Sequence, residues 1–364
     1  GLGLRYEKTA SFKPPRRFHI FMRRTTPALP SEPVEPAEPI SYVIKGRPAP
    51  WANPEPRTLN PMTPKSHLTQ IAASLHLDAC GACSASLDST LKEQLQNAGP
   101  IPFAPSSLAE RLDPSALLRD ARSFFVILFP YRPAREEEGN IALYARPMDY
   151  HKVIHRYLQK IIETARPFYP GEQFLPLVDT SPMVDRWLAY AAGLGFFGRN
   201  HCLIHPTYGS FVTIGSILTT LSLTPDEPLT LDCGSCRECL IRCPGRAIGE
   251  KRLDPFRCKS YLTQKKEELS PAEMQILQRT PYIFGCDECQ RFCPFNQKAL
   301  PSPLPEIHEH RISTLTKEEM DSYSNRAFDK AFRSYAFAWR GKKILLRNWN
   351  IVNEKGKEDI NSSR

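Results

Sequence analysis

Hydrophobic positions between residues 62 and 228 fall into short solid runs separated by one clear helical repeat. Ser123–Phe129 (SFFVILF) is an unbroken apolar stretch ending at Pro130, and Phe174–Val178 and Phe211–Leu218 are of the same kind. Short runs rich in Phe, Val and Ile and closed by turn residues predict buried strands. Between them Val153, Ile154, Tyr157, Leu158, Ile161 and Ile162 recur with helical period after Asp149, predicting an amphipathic helix. Ser181, Pro182 and Gly193 have the character of an N-cap, a first helical residue and a C-terminal stop, so another helix is expected there. Mixed strands and helices imply a layered core of α+β class. TPDEP at 224–228 separates its last strand from the next region of the chain.

Upstream the pattern disappears. Residues 1–61 hold 12 of the 35 prolines, and Pro27, Pro30, Pro33, Pro36 and Pro39 recur every third residue. Such spacing suits an extended polyproline conformation and opposes a packed core, so a disordered tail is expected. Arg16-Arg17 and Arg23-Arg24 raise the question of a twin-arginine export signal, but prolines occupy the positions where an apolar segment should run. The sequence has no apolar run of about 18 residues, the length a membrane-crossing helix needs.

The next feature is chemical. Of 11 cysteines, eight lie between residues 233 and 293. A secreted disulfide scaffold would be short and loop-rich, whereas clustered thiols in a long chain favour metal in a reducing compartment, so the cytoplasm is expected. CGSCRECLIRCPG (233–245) has the CxxCxxCxxxCP spacing by which bacterial ferredoxins hold a [4Fe-4S] cluster on three thiolates while the fourth reaches a second cluster. CDECQRFCP (286–294) supplies three more thiols, and Cys258 stands alone between the motifs. The crossing rule then assigns Cys233, Cys236, Cys239 and Cys293 to one cluster, and Cys243, Cys258, Cys286 and Cys289 to the other. Structural zinc is the plainer alternative, which the run of four followed by proline disfavours. Cys80, Cys83 and Cys202 are expected to be packing residues.

Charge adds less. The tail carries ten Lys and Arg against five Glu, so of the net +9 only +4 belongs to the remaining residues. Locally, nine basic residues face three acidic ones between 234 and 266, and residues 326–347 interleave seven Lys and Arg with Phe328, Phe332, Tyr335, Phe337 and Trp339. That mixture suits phosphate neutralisation and base stacking, and equally a helix whose aromatics point into the core.

Two clusters alone make an electron carrier, which needs far fewer residues. DTSPMVDRWLAYAAGLGFFGRNHCLIHPTYGSFVTIGSILTTL (179–221) resembles the epoxyqueuosine reductase family, as do LDPSALLRDARS (112–123), DYH (149–151), CKSYLTQKK (258–266), GCDECQRFCPFN (285–296) and AWRGKKILLRN (338–348). The resemblance spans residues 62–350. GFFGRN carries Phe where Trp is common, Arg199 stands where Lys is usual, and Asp185 where Glu is usual. What the resemblance implies is a reductive-dehalogenase-like, cobalamin-binding α/β core joined to a bacterial-ferredoxin-like domain, converting epoxyqueuosine to queuosine at the wobble position of tRNA. By the same token Asp179 is the catalytic acid, with burial expected to raise its pKa, and Tyr150 and His151 assist. Cobalamin contacts are expected from Asp179, Ile214, Ser260, Cys286, Asp287, Glu288 and Cys289, and tRNA contacts from Lys265 and Lys266. Read locally, Asp179 is a turn or cap residue before Ser181.

The expected organisation is a tail (1–61), an α/β cobalamin and substrate core (62–228), a two-cluster domain (229–300) and a basic C-terminal segment (301–364). The expected partners are tRNA carrying epoxyqueuosine and an unidentified electron donor, with no membrane, the protein being a monomer. The alternatives are a cobalamin-dependent reductive dehalogenase, against which the absent export signal and the aspartate in DTSP argue, and a non-catalytic electron-transfer or RNA-binding protein.

Overall fold

The structure, a computed structural model, describes residues 62–99, 101–104, 107–135, 137–250 and 252–354. The proline-rich stretch 1–61 lies outside them. The strands are β1 (Cys80–Ser84), β2 (Ser123–Pro130), β3 (Phe174–Val178), β4 (Phe196–Phe197), β5 (Leu203–Ile204) and β6 (Val212–Thr219). Four of them form an antiparallel sheet in the order β1-β2-β6-β3, and β4 pairs with β5 apart from it. The solid apolar run of β2 has its reason here: flanked by β1 and β6, every residue from Ser123 to Pro130 is buried. Phe125, Ile127 and Phe129 point to one core layer and Phe124, Val126 and Leu128 to the other, as a period of two requires.

The first layer is completed by helices Pro64–Ser74 and Tyr150–Ala165, the second by helix Asp185–Ala191. Helix Tyr150–Ala165 buries Val153, Ile154, Leu158, Ile161 and Ile162, the positions of the predicted stripe. It crosses β6 so closely that a Cβ on Gly215 would lie 2.5 Å from Ile154 Cγ2. The crossing sets the height of the helix's first turn against the end of β3.

The helix expected at Ser181 starts later, at Asp185, with Val184 at its N-cap and no side-chain cap. Ser181 spends its hydroxyl locally, accepting from the Met183 N–H at 3.3 Å, and Asp179 occupies the left-handed region (φ +42°), so the chain turns before it coils. Gly193 does end the helix, at φ +69°. Among the described residues no helix is long and apolar enough to cross a membrane.

The cysteine-bearing segment is joined to the core along a seam. Ile141 bridges Phe284 in parallel, the Ile283 N–H donates to Asn140 O (2.7 Å) and the Ala142 N–H to Phe284 O (2.9 Å). Behind it lies a third apolar cluster that takes in Phe284, Phe328, Phe332, Phe337 and Leu345. Thus most aromatics of the 326–347 stretch are core residues.

Asn348, fully buried in helix Lys342–Asn353, ties that helix to the seam by donating to Thr263 O (2.7 Å) and Ile283 O (2.8 Å). Asn348→Leu keeps the shape but strands both carbonyls, each at a cost of about 1–3 kcal/mol. The urea midpoint should therefore fall with the slope unchanged; an unaltered midpoint would show that the carbonyls find other partners.

Candidate functional site

Short helices Glu238–Arg242 and Glu288–Arg291 bring the two cysteine motifs together. Cys233, Cys236, Cys239 and Cys293 line one small cavity of about 150 Å³, with Cys289 also on its wall. Cys243 and Cys258 gather with Cys289 around Ala247 and Ile248, and Cys258 and Cys286 lie close enough to feel each other's charge. Backbone N–H groups already point at several of the sulfurs: Arg199 to Cys233 (3.4 Å), Ala247 to Cys243 (3.2 Å), and those of Ser260 and Tyr261 to Cys258. Two neighbourhoods of thiols aided by amide donors have the donor set that iron–sulfur clusters take.

Cys202, expected to be a packing residue, lies against Cys289, the two side chains being hydrogen-bonded. Cys83 is buried in β1, and burial pushes its thiol up to about 12.

On the other side of the seam, helix Tyr150–Ala165 and the end of β3 converge on Asp179. Tyr150 Oη donates to Asp179 Oδ2 at 2.5 Å and His151 Nε2 lies 3.1 Å from the same oxygen. Asp149 caps the helix through the His151 N–H (3.1 Å) and holds the other ring nitrogen, Nδ1, at 2.7 Å. The Tyr150 and His151 rings stack with centroids 4.1 Å apart. The expected elevation of the Asp179 pKa is corrected here. The His151 hydrogen bond outweighs burial and, with the Tyr150 bond and the charges of His151 and Arg186, holds the carboxyl below the usual range. The side chain is also 55 % exposed, so burial has limited hold on it. Burial opposes charge on His151, but its bonds to Asp149 and Asp179 prevail and push it up to about 9. Burial and the Asp179 charge push Tyr150 well above its ordinary value. At neutral pH the site therefore holds an ionised Asp179 beside a protonated His151.

Asp179 stands where two cavities meet. One, of about 380 Å³, is lined by Tyr131, Met183, Asp185, Arg186, Thr213 and Ile214; the other, of about 1250 Å³, by His151, Lys152, His155, Phe284, Trp339 and Arg340. Phe103, Ala104, Tyr144, Tyr150 and Asp179 belong to both. Tyr144 links this junction to the cysteines, since its hydroxyl bonds Ser260, two residues after Cys258. Asp287, fully buried between Cys286 and Cys289, accepts from the Leu143 N–H at 2.7 Å, while its Oδ1 has no partner. Glu288 is mostly buried, 4.0 Å from Arg291. Away from the junction, Lys265 is paired with Glu273 at 2.8 Å, and Lys266 is exposed.

Sequence reasoning missed Asp149 as the partner of His151, although its place before the helix gave the signal. It also missed a role for Asp185, whose carboxylate accepts from the Asp179 N–H and whose Oδ1 is buried without a partner.

Comparison with known proteins identifies the family. A family model described as epoxyqueuosine reductase QueG, DUF1730, matches residues 111–180, and one described as a 4Fe-4S double cluster binding domain matches residues 232–296. Epoxyqueuosine reductase of Lactococcus garvieae (strain Lg2) is 33% identical over 300 residues, covering 78% of this chain and 84% of the relative. A crystal structure of an epoxyqueuosine reductase with an epoxyqueuosine-modified tRNA-Tyr stem loop superposes with a TM-score of 0.72 at 29% identity, over 79% of this chain and 80% of the other. A Bacillus subtilis epoxyqueuosine reductase whose catalytic aspartate loop is swung out of the active site gives 0.71 at 28%, with the same coverage. The chain belongs to the epoxyqueuosine reductase family.

Because His151 binds its proton more tightly folded than unfolded, its contribution to stability is full below about 6.5 and is lost as pH rises through about 9. Histidine NMR should show His151 titrating near 9, and Asp179→Asn should lower that midpoint. A midpoint that stays put would mean that Asp179 is not its partner in solution.

Proposed function

We propose that this chain reduces epoxyqueuosine in tRNA to queuosine, with two [4Fe-4S] clusters and cobalamin as its cofactors. The observation that carries the reading is the Asp179–Tyr150–His151 constellation at the junction of two cavities, joined through Tyr144 and Ser260 to the second group of cysteines. A cavity of about 1250 Å³ with a second one adjoining exceeds what an ordinary small ligand needs, about 300–1,000 Å³, and suits a macrocycle together with a nucleoside. Asp179 and Ile214, which line these cavities, are the residues we assign to holding cobalamin, whereas Ser260 and the run Cys286, Asp287, Glu288 and Cys289, also expected to do so, are on neither lining. When bound, cobalamin supplies a metal centre able to collect single electrons and use them in pairs at the substrate.

Removing the epoxide oxygen as water takes two electrons and two protons and leaves a carbon–carbon double bond. Alkoxide leaves carbon poorly, so a proton must reach the oxygen as the bond breaks. Asp179 is the group we assign to that delivery. Being ionised, it does not bring the proton from solution itself. The His151 imidazolium holds a proton that passes to Asp179 Oδ2, and rotation of the carboxyl about its Cβ–Cγ bond turns it to the departing oxygen; the second proton of the water comes from solvent, which reaches this half-exposed side chain. Asp149 on the far ring nitrogen keeps the imidazole oriented and charged. Tyr150 fixes the same carboxylate oxygen and leaves Oδ1 of Asp179 for the substrate. Lys265 and Lys266 remain proposed phosphate contacts, Lys266 being the more available because Glu273 engages its neighbour.

The test is anaerobic reconstitution of the full chain with iron, sulfide and cobalamin, followed by mass analysis of nucleosides from an epoxyqueuosine-containing tRNA. Queuosine should accumulate, and the protein should hold about eight irons per chain. About four irons, or zinc, would remove the two-cluster assignment, and unchanged epoxyqueuosine would remove the activity. Asp179→Asn keeps the shape but cannot carry the proton, so turnover should fall about 10²- to 10⁴-fold with iron content and corrin spectrum retained. Turnover at the unmutated rate would return the proton to Tyr150, His151 or water.

A further inference from the structure

Three of the aromatics from the basic C-terminal stretch are buried, but Trp339 is not: 53% of its surface is exposed, on the wall of the 1250 Å³ cavity. The indole is held in place, its Nε1 donating to Gln264 Oε1 at 2.9 Å. The Arg340 guanidinium lies 3.6 Å from the centre of the ring and 5.1 Å from that of Phe103, which meets Trp339 edge-on at 5.6 Å. Phe103 is itself 52% exposed and sits at φ +64°, a conformation costly for a bulky residue. Its ring continues the surface to Tyr261, 5.4 Å away.

A hydrophobic core would bury these rings, and a simple solvated surface would not gather them around an arginine. Among the described residues Arg340 has no salt bridge to spend its charge on. Lys152 also lines the cavity, and its Nζ is bonded to a backbone carbonyl, that of Arg333, so its charge is available too. Flat π surfaces with unspent cations between them match the two things every RNA nucleotide presents, a base face and a phosphate.

We propose that Trp339, with Arg340 and Phe103, is a stacking platform for an unpaired base of the anticodon loop adjacent to the nucleoside that enters the Asp179 cavity. This rests on the proposed function and adds the element that holds the loop's neighbouring nucleotide on the Trp339 wall of the larger cavity, a cavity that Asp179 also lines. The platform is tolerant of base identity, because stacking uses a face that all bases share. It acts on binding and leaves proton delivery at Asp179 untouched.

The experiment measures the affinity of the holoenzyme for an anticodon stem-loop RNA and for versions with a single abasic residue at each loop position. Trp339→Ala should weaken the intact loop about 5- to 150-fold, the range for losing one stacked base. Trp339→Phe, which retains a ring but not the bond to Gln264, should keep most of the affinity. One abasic RNA should bind the unmutated protein weakly and lose nothing further with Trp339→Ala. Iron content and the corrin spectrum check that the variants are intact. If Trp339→Ala binds every RNA like the unmutated protein, or loses equally with all abasic RNAs, the platform is overturned, while conversion of epoxyqueuosine by the unmutated protein leaves the activity standing. If the unmutated protein neither binds nor converts the RNA, the platform and the function fall together.

Discussion

The site depends on the seam between residues 140–143 and 283–287. A few hydrogen bonds there, Ile283 N–H to Asn140 O, Ala142 N–H to Phe284 O and Leu143 N–H to Asp287 Oδ2, fix the cysteine segment against the core. Ile141 and Phe284 of the seam belong to the buried cluster formed with the C-terminal helices, so hydrogen bonds on that side are worth more than they would be on the surface and are costly to break. From the seam the chain runs directly into Tyr144 and then Asp149, Tyr150 and His151. One short stretch therefore sets both where the thiols lie and where the acid site lies. In the proposed reaction electron transfer and proton delivery need a fixed mutual distance, and a hydrogen-bonded seam backed by an apolar cluster holds the two parts together.

Within the acid site the controlling fact is that carboxylates outnumber the imidazole they share. Asp149 and Asp179 grip His151 from its two ring nitrogens, and their combined field overcomes the burial that would otherwise discharge it. A carboxyl raised by burial would carry its own proton but would need a dry pocket. This Asp179 is more than half exposed where two cavities meet, open to the large nucleic-acid substrate of the proposed reaction. In the proposed reaction, storing the proton on the neighbouring imidazole reconciles access with acidity.

Much of the architecture was legible because it depends on local periodicity. β3 has the predicted limits, β2 extends one residue further to Pro130, and the stripe from Val153 to Ile162 faces the core. The thiol spacing likewise encodes chemistry that requires that spacing. What was not legible depends on partners distant in sequence. Ser181 has the composition of a cap, yet the positive φ of Asp179 delays the helix to Asp185. Nothing in VDTSP says that Tyr150 and His151, nearly thirty residues away, will hold the carboxylate down. Similarly, the alternation of aromatics and cations from 326 to 347 did not distinguish Phe328, Phe332 and Phe337, which are core, from Trp339, which is not.

Asp185 shows how the same residue type takes opposite states a few ångströms of chain apart. Its carboxyl is pushed up to about 7, first by burial and then by the Asp179 charge, with Arg186 opposing. Both carboxyls line the smaller cavity, and the Asp185 carboxyl also accepts the Asp179 N–H, so the backbone of the turn and the charge on its side chain are coupled to one neighbour. Two negative charges so placed disfavour each other, and the one with hydrogen-bond donors and solvent wins. Asp179 has Tyr150 and His151, whereas Asp185 Oδ1 has none. Environments that drive two acids apart in this way assign them different work: Asp179 is free to exchange a proton with His151, and Asp185, spared full ionisation, can brace a left-handed turn without placing a second full charge beside it.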